Sequence, residues 1–148
     1  MTRRILFVCL GNICRSPMAE GVLRQKAPHL LVDSAGTSDW HAGDPPYVPM
    51  QHAALRKGYN ITEQVSRPFH PADFMRFDMI LVMDGRNQAD VEAMRPPGNL
   101  TPVKRFAPFA GRDIGDVPDP YYTGEFDAVV ELIEAAADGF LATLPQPQ

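Results

Sequence analysis

A cysteine that directly follows a short apolar run is the feature that most constrains the fold of this 148-residue chain. The run Ile5–Val8 predicts a buried strand, and the chain continues as Cys9-Leu-Gly-Asn-Ile-Cys-Arg-Ser-Pro17. The glycine gives the backbone freedom to turn, and a serine before a proline is typical of a helix start. We therefore expect a strand, a tight loop and a helix, with Cys9 at the carboxyl end of the strand.

Short apolar runs alternate with helical patterns along the remaining sequence, which indicates parallel βα units within a single domain, residues 1–148. Strands are predicted at 5–8, 31–35, 79–83 and 100–105. Helices are predicted at 16–26, 50–57, 71–76, 85–94 and 125–144, with Asp84 as an N-cap and Glu20 as an acid near a helix start. Residues 106–124 are predicted to form a long loop and residues 145–148 an irregular end.

Composition excludes several classes of partner and location. The formal net charge of −4 argues against nucleic acid or an anionic membrane, because binding either requires a broad basic face. No apolar segment approaches membrane-spanning length, and the one after Arg3 and Arg4 is shorter than a secretory signal requires. Two cysteines are too few for a disulfide framework, so a reducing cytoplasm is the expected compartment.

The loop after Cys9 is suited to holding a phosphate above the cysteine sulfur. Several of its amides can turn inward, helped by Gly11 and by Asn12, which tolerates a left-handed conformation. The helix start and Arg15 supply positive potential, and the guanidinium can hold two phosphate oxygens. Together with the Ser16 hydroxyl, they favour the thiolate that nucleophilic attack requires. The predicted phosphate-binding residues are Leu10, Gly11, Asn12, Ile13, Cys14, Arg15 and Ser16.

Displacement of an alkoxide or phenoxide from phosphate also requires a proton donor, which a positioned carboxylic acid can supply. The long loop offers Asp113, Asp116 and Asp119. Asp119 is the favoured candidate, because a proline fixes the chain after it and two tyrosines follow.

Aromatic side chains on two loops predict a deep slot suited to an aryl phosphate. Tyr121 and Tyr122 would form one wall beside the acid, and Trp40 the other. Ile13 would face the same slot, and His41 is a further residue that could touch a substrate.

These motifs together resemble those of the low-molecular-weight protein tyrosine phosphatases. The resemblance covers nearly the whole chain, through Val8–Pro17, Asp33–Thr37 and Asp119–Tyr122. It implies an α/β fold of three layers, in which a four-stranded parallel sheet of order 2-1-3-4 has helices on both faces and a phosphate-binding loop after strand 1. It also implies hydrolysis of phosphotyrosine through a phosphocysteine, with no metal or other cofactor.

The resemblance assigns roles to the matching positions. It implies Cys9 as the nucleophile, Arg15 as the ligand of the phosphate and the transition state, and Asp119 as general acid and then general base. It implies that the loop is supported by Asn12, Ser16 and Ser34.

Two features of the loop leave questions open. Family members often carry a histidine that buttresses the loop, just before the segment that here reads Ser66–Phe69, whereas this chain has Gln64 and no histidine. Cys14 either packs the loop or forms a reversible disulfide with Cys9, and the resemblance favours the disulfide. A zinc site on these two cysteines would need two further ligands, which no His or Cys spacing supplies.

Related enzymes and a non-enzyme remain as alternatives. Phosphoarginine phosphatases of this fold tend to have threonine where Ile13 stands, and arsenate reductases need further downstream cysteines, whereas none follows Cys14. A phosphotyrosine-binding or redox-sensing module without turnover would not require Asp119. The resemblance implies phosphotyrosine proteins and, in bacteria, a tyrosine kinase as partners. The oligomeric state stays open, with a monomer expected.

Overall fold

A computed structural model of the chain describes residues 3–145, which form a parallel sheet with helices on both faces. The strands are β1 (Arg4–Cys9), β2 (Leu31–Gly36), β3 (Met79–Val82) and β4 (Val103–Arg105). The helices are α1 (Arg15–Lys26), α2 (Val48–Arg56), α3 (Asp73–Arg76), α4 (Gly85–Glu92), α5 (Pro120–Thr123) and α6 (Phe126–Ala142), with a 3-10 helix at Ala107–Ala110. Of the predicted irregular end, residues 146–148 lie outside the described residues.

The sheet has the strand order β2-β1-β3-β4, and every pair is parallel, which confirms the predicted fold class. Side chains of β1 alternate between two apolar clusters because successive residues of a strand point to opposite faces. Ile5 and Phe7 face a cluster that includes residues of α1 and α6. Leu6 and Val8 face a second cluster that includes Phe74 of α3 and Val91 of α4.

The chain leaves β1 toward β2 on one side and returns to β3 on the other, so the direction of winding reverses beside β1. Ligands of open parallel sheets bind at such a reversal, at the carboxyl ends of the strands. Cys9 is the last residue of β1 and is paired with Gly36 of β2. A Cβ atom at Gly36 would lie 2.8 Å from the carbonyl oxygen of Leu10, so glycine lets the loop after β1 pack against the end of β2.

The structure differs from the predicted elements mainly after β3. β4 begins at Val103 rather than at residue 100, since Leu100 is exposed and Pro102 cannot donate a hydrogen bond to the sheet. The predicted long loop 106–124 contains the 3-10 helix and α5, which are too short to give a periodic pattern. The last helix buries an apolar face that consists of Val129, Val130, Leu132, Ile133, Ala136, Ala137 and Phe140. No helix of the described part of the chain is both long enough and apolar enough to cross a membrane.

Gly139 sets the distance between α6 and the 3-10 helix, because a Cβ atom at this position would overlap the carbonyl group of Phe109. Gly139→Ala should therefore lower the free energy of unfolding by about 1–3 kcal/mol, although alanine is the better helix former. Ala128→Gly, at an exposed position of the same helix, is the control for helix propensity alone and should cost about 1 kcal/mol. Urea unfolding of both variants measures this, and a Gly139→Ala protein as stable as the wild type would contradict the packing argument.

Candidate active site

The Cys9 sulfur lies at the bottom of the loop between β1 and α1, where two donors approach it. The side chain is buried, and the backbone amide of Asn12 donates to Sγ over 3.2 Å. The Ser16 Oγ lies 3.0 Å from the same sulfur. Hydrogen bonds to the charged form of a group favour that form, so both contacts stabilise a thiolate.

Asn12 shapes this loop, with a left-handed backbone that confirms the expectation for this residue. Its φ is 55°, and it is the one residue other than glycine with a positive φ among those described. Its side-chain amide donates to Ser16 Oγ over 2.8 Å and to Ser34 Oγ over 3.0 Å. Gly11, expected to supply backbone freedom, has no positive φ; instead, a Cβ atom there would lie 3.2 Å from the ring of His41.

A buried carboxylate orients the hydroxyl groups of this network. Ser34 Oγ donates its proton to Glu20 Oε1 over 2.6 Å. The lone pairs of the Ser34 oxygen are therefore free to accept from the Asn12 amide. The second proton of the Asn12 amide goes to Ser16, which leaves the Ser16 proton free to point at Cys9. Glu20, expected as an acid near the helix start, lies beyond the first turn of α1 and is a buried member of this network.

The side of the loop where the family histidine was expected is held by the segment before α3. Ser66 Oγ donates to the carbonyl of Gly11 over 3.0 Å, and the amide of Arg67 donates to Asn12 Oδ1 over 3.0 Å. Gln64 Nε2 donates to the carbonyl of Pro17 at the start of α1, also over 3.0 Å. A hydroxyl, a backbone amide and a side-chain amide therefore brace the loop and α1 from this side.

The guanidinium of Arg15 is buried and joins the loop to two carboxylates. Nη1 lies 2.8 Å from Asp84 Oδ2 and donates to the carbonyl of Val117, while Nη2 lies 3.5 Å from Asp119 Oδ2. Burial works against the charge, but the negative charges of Cys9, Asp84 and Asp119 outweigh it and raise the pKa of the guanidinium. Arg15 therefore stays cationic beside the sulfur.

Both carboxylates are helix N-caps, and each divides its two oxygens between a helix and Arg15. Asp84 Oδ1 accepts from the first-turn amide of Asn87 in α4, and Asp119 Oδ1 accepts from the amide of Tyr121 in α5. Their Oδ2 atoms face the guanidinium. Because capping fixes one oxygen, it also aims the other.

The structure separates the three aspartates of the long loop. Asp116 accepts from the amide of Gly85 and pairs with Arg105, and Asp113 is exposed. Only Asp119 of the three lines the cavity above Cys9.

That cavity has a volume of about 310 Å³ and opens above the sulfur. It is lined by Cys9, Leu10, Gly11, Ile13, Cys14, Arg15, Ser38, Trp40, His41, Asp119, Tyr121 and Tyr122. The structure thus brings together the predicted nucleophile, arginine, acid and all four predicted slot residues. Trp40 and Tyr122 are 84% and 75% exposed, so they form the outer rim, while Ile13 is buried at the base.

Both cysteines of the loop are free, buried thiols. Burial, with the negative charges of Cys9 and Asp119, raises the pKa of the Cys14 thiol far above its ordinary value. Cys14 therefore stays protonated and does not compete with Cys9 as a nucleophile. The disulfide between them stays a prediction.

Sequence reasoning missed Glu20, Asp84 and Ser66 as parts of the site. Asp84 had a usable signal, because it follows β3 and so lies at the same edge of the sheet as Cys9. Glu20 and Ser66 had none, since their partners depend on how α1 and the segment before α3 pack against the loop.

Comparisons with known proteins agree with this geometry. The model of the family described as "Low molecular weight phosphotyrosine protein phosphatase" matches residues 4–148. A low molecular weight protein-tyrosine-phosphatase of Bacillus subtilis, YfkJ, is 39% identical over 147 residues, which cover 95% of this chain and 94% of that protein. A Streptomyces coelicolor protein of the same description is 36% identical, in an alignment that covers 97% of this chain and 94% of that protein.

Solved structures show the same fold. The crystal structure of Bacillus subtilis YfkJ superposes with a TM-score of 0.91 at 38% identity, covering 97% of this chain and 94% of that one. The crystal structure of DARP, the drosophila arginine phosphatase, superposes with a TM-score of 0.87 at 31% identity. The superposition covers 93% of this chain and 95% of that one.

The buried Glu20 gives a prediction for the pH dependence of stability. Burial raises the pKa of its carboxyl, so the folded state favours the protonated form more than the unfolded state does. The contribution of Glu20 to stability is therefore full below its ordinary pKa of 4.5 and is lost as the pH rises through the higher value in the folded protein. The free energy of unfolding of the wild type minus that of Glu20→Gln should fall over this range.

Urea unfolding at a series of pH values measures this difference. Glu63→Gln, which removes the same charge from an exposed position, is the matched control. If the free energy of unfolding of the wild type minus that of Glu20→Gln is constant or grows with pH, the pKa of Glu20 is not raised in the folded protein.

Proposed function

The chain belongs to the low molecular weight phosphotyrosine protein phosphatase family and is therefore a cysteine-dependent phosphatase, and we propose that Cys9, Arg15 and Asp119 carry its reaction. The observation that carries this proposal is that all three line one cavity, with Arg15 in contact with the acid. A binding module would have no use for a carboxyl aimed at the leaving group. The whole chain, 1–148, would act as one catalytic domain.

In the first step, the Cys9 thiolate attacks the phosphorus of a phosphotyrosine held by the loop amides and Arg15. The S–P bond forms as the bond from phosphorus to the phenolic oxygen breaks. The acid role requires that Asp119 carries a proton when the substrate is bound. Asp119 can then give its proton to the leaving phenolic oxygen, so that neutral tyrosine departs.

In the second step, water attacks the phosphorus of the phosphocysteine. The Asp119 carboxylate takes a proton from the water, the S–P bond breaks, and inorganic phosphate and the Cys9 thiolate are released. The hydrogen bonds from Asn12 and Ser16 make the thiolate a better leaving group in this step, as they stabilise its charge. No electron transfer and no cofactor enter this scheme.

The substrate is proposed to be phosphotyrosine in proteins, such as the products of a bacterial tyrosine kinase. The support is the lining of the cavity, which combines the buried side chain of Ile13 with the more exposed aromatic rings of Tyr121, Tyr122 and Trp40. A phenyl ring fits between such walls, whereas the short side chain of phosphoserine would not bring its phosphate down to the sulfur. We propose that the enzyme acts as a monomer in the reducing cytoplasm, which keeps the nucleophilic thiol of Cys9 reduced.

The catalytic assignment is tested by turnover of an aryl phosphate. Cys9→Ser should lower kcat by about 10⁴-fold or more, because the nucleophile is lost. Asp119→Ala should lower kcat/KM for phosphotyrosine by about 10²- to 10⁴-fold, the contribution of a positioned acid. Asp113→Ala removes an exposed carboxylate from the same loop and serves as the control. Full activity in Cys9→Ser would disprove the mechanism.

Substrate class is tested by comparing peptides that carry phosphotyrosine, phosphoserine or phosphoarginine. We expect phosphotyrosine to be hydrolysed fastest, since Ile13 and the aromatic side chains contact a planar ring better than a flexible chain. Hydrolysis of phosphoserine as fast as that of phosphotyrosine would contradict the proposal that the cavity selects aryl phosphates. Faster turnover of phosphoarginine would place this chain with the drosophila arginine phosphatase instead.

A further inference from the structure

Tyr47 occupies a helix N-cap without capping the helix. Serine, threonine, aspartate and asparagine are favoured at this position because their side chains accept from first-turn amides. Tyr47 is the N-cap of α2, and its side chain makes no such hydrogen bond. Its ring instead lies 5.0 Å from the ring of Tyr121 and 6.0 Å from that of Phe126, between centroids. A residue that departs from a local rule in this way is a candidate for function.

Tyr47 contacts both the phosphate-binding loop and α5, the helix that Asp119 caps. Its backbone amide donates to the carbonyl of Ile13, in the phosphate-binding loop, over 2.8 Å. Its ring packs against Tyr121, whose own backbone amide donates to Asp119 Oδ1 over 3.1 Å. One residue therefore contacts the loop that holds the phosphate and the helix that holds the acid.

Asp119 needs support from other segments because the helix that it caps is short. α5 has four residues, which is too short for a helix to be stable by itself. The ion pair between Asp119 and Arg15 is 3.5 Å long, near the limit of a hydrogen bond. Tyr121 is 46% exposed, and its ring lies 5.0 Å from that of Tyr47 between centroids, closer than the rings of Tyr122 in the same helix (5.3 Å) and His41 (6.4 Å). Packing against Tyr47 is therefore one of the contacts that hold this segment in place.

We propose that Tyr47 is a positioning residue for the general acid, holding α5 against the phosphate-binding loop so that Asp119 stays within reach of the leaving oxygen. The inference rests on the proposed function, in which Asp119 gives a proton to that oxygen. Loss of the Tyr47 ring leaves the nucleophile and Arg15 in place but lets α5 move. The effect should therefore depend on how much the leaving group needs a proton.

A series of aryl phosphates with leaving groups from 4-nitrophenolate to unsubstituted phenolate tests this. The quantity measured is kcat/KM, which reports the step that releases the phenol. In Tyr47→Ala, kcat/KM for phenyl phosphate should fall about two- to tenfold, the factor that loss of one aromatic pair can produce. For 4-nitrophenyl phosphate, whose leaving group departs readily without a proton, it should stay close to that of the wild type.

Two further variants separate this role from helix stability. Tyr47→Phe keeps the ring and should keep the dependence on leaving group of the wild type. Tyr47→Asn supplies a favoured N-cap but removes the ring, so it should unfold at the same temperature as Tyr47→Ala or higher, yet show the same steep dependence. Val48→Ala, the next and exposed position of α2, is the matched control and should behave as the wild type.

A double variant shows whether Tyr47 acts through the acid. Tyr47→Ala should add nothing to the loss of kcat/KM that Asp119→Ala alone causes with phenyl phosphate. A uniform loss on all aryl phosphates in Tyr47→Ala, no loss at all, or an additive loss in the double variant would overturn the inference. If Asp119→Ala itself lacks a dependence on leaving group, the proposed function fails first, so the two failures are distinguishable.

Discussion

The side chain of Asn12 is the point on which the site depends, because every polar atom of that amide is used to join separate parts of the chain. It donates to Ser16 in α1 and to Ser34 in β2, and it accepts from the amide of Arg67 before α3. The backbone amide of the same residue contacts Cys9, and this requires the left-handed conformation. A buried amide whose two donors and oxygen are all hydrogen-bonded favours a single loop conformation, since an alternative would leave polar groups unpaired.

The charges of the site are arranged around a single buried cation. Arg15 is the proposed ligand for an incoming phosphate, and in this structure its guanidinium contacts Asp84 and Asp119. The carboxylates compensate the cost of burying the guanidinium, which would be high for a charge without partners. When a dianion binds, Arg15 gains a further anionic partner beside these two carboxylates.

The sequence predicted what local patterns determine, and missed what depends on packing between distant segments. The strand and loop around Cys9, the strand order and the Asp84 N-cap follow from apolar period, turn chemistry and family resemblance, and the structure agrees. The second role of Asp84, as a partner of Arg15, depends on two residues 69 positions apart. The hydrogen bond from Ser66 to Gly11 likewise depends on tertiary packing, because nothing near Ser66 in sequence shows that its hydroxyl meets the loop after β1.

Helix starts give the site its geometry, and they do so in two different ways. α4 and α5 are capped by Asp84 and Asp119, so capping orients a carboxylate that also contacts Arg15. The N-caps of α1 and α2 are Cys14 and Tyr47, neither of which makes a side-chain cap. Each uncapped start gives up the stability that a cap contributes, about 1 kcal/mol. At α1, the first-turn amides stay available to an anion; at α2, the N-cap position supplies an aromatic ring instead. The starts of α3 and α6, at Ala72 and Glu125, also lack a side-chain cap, so it is contact with the site, and not the missing cap alone, that distinguishes α1 and α2.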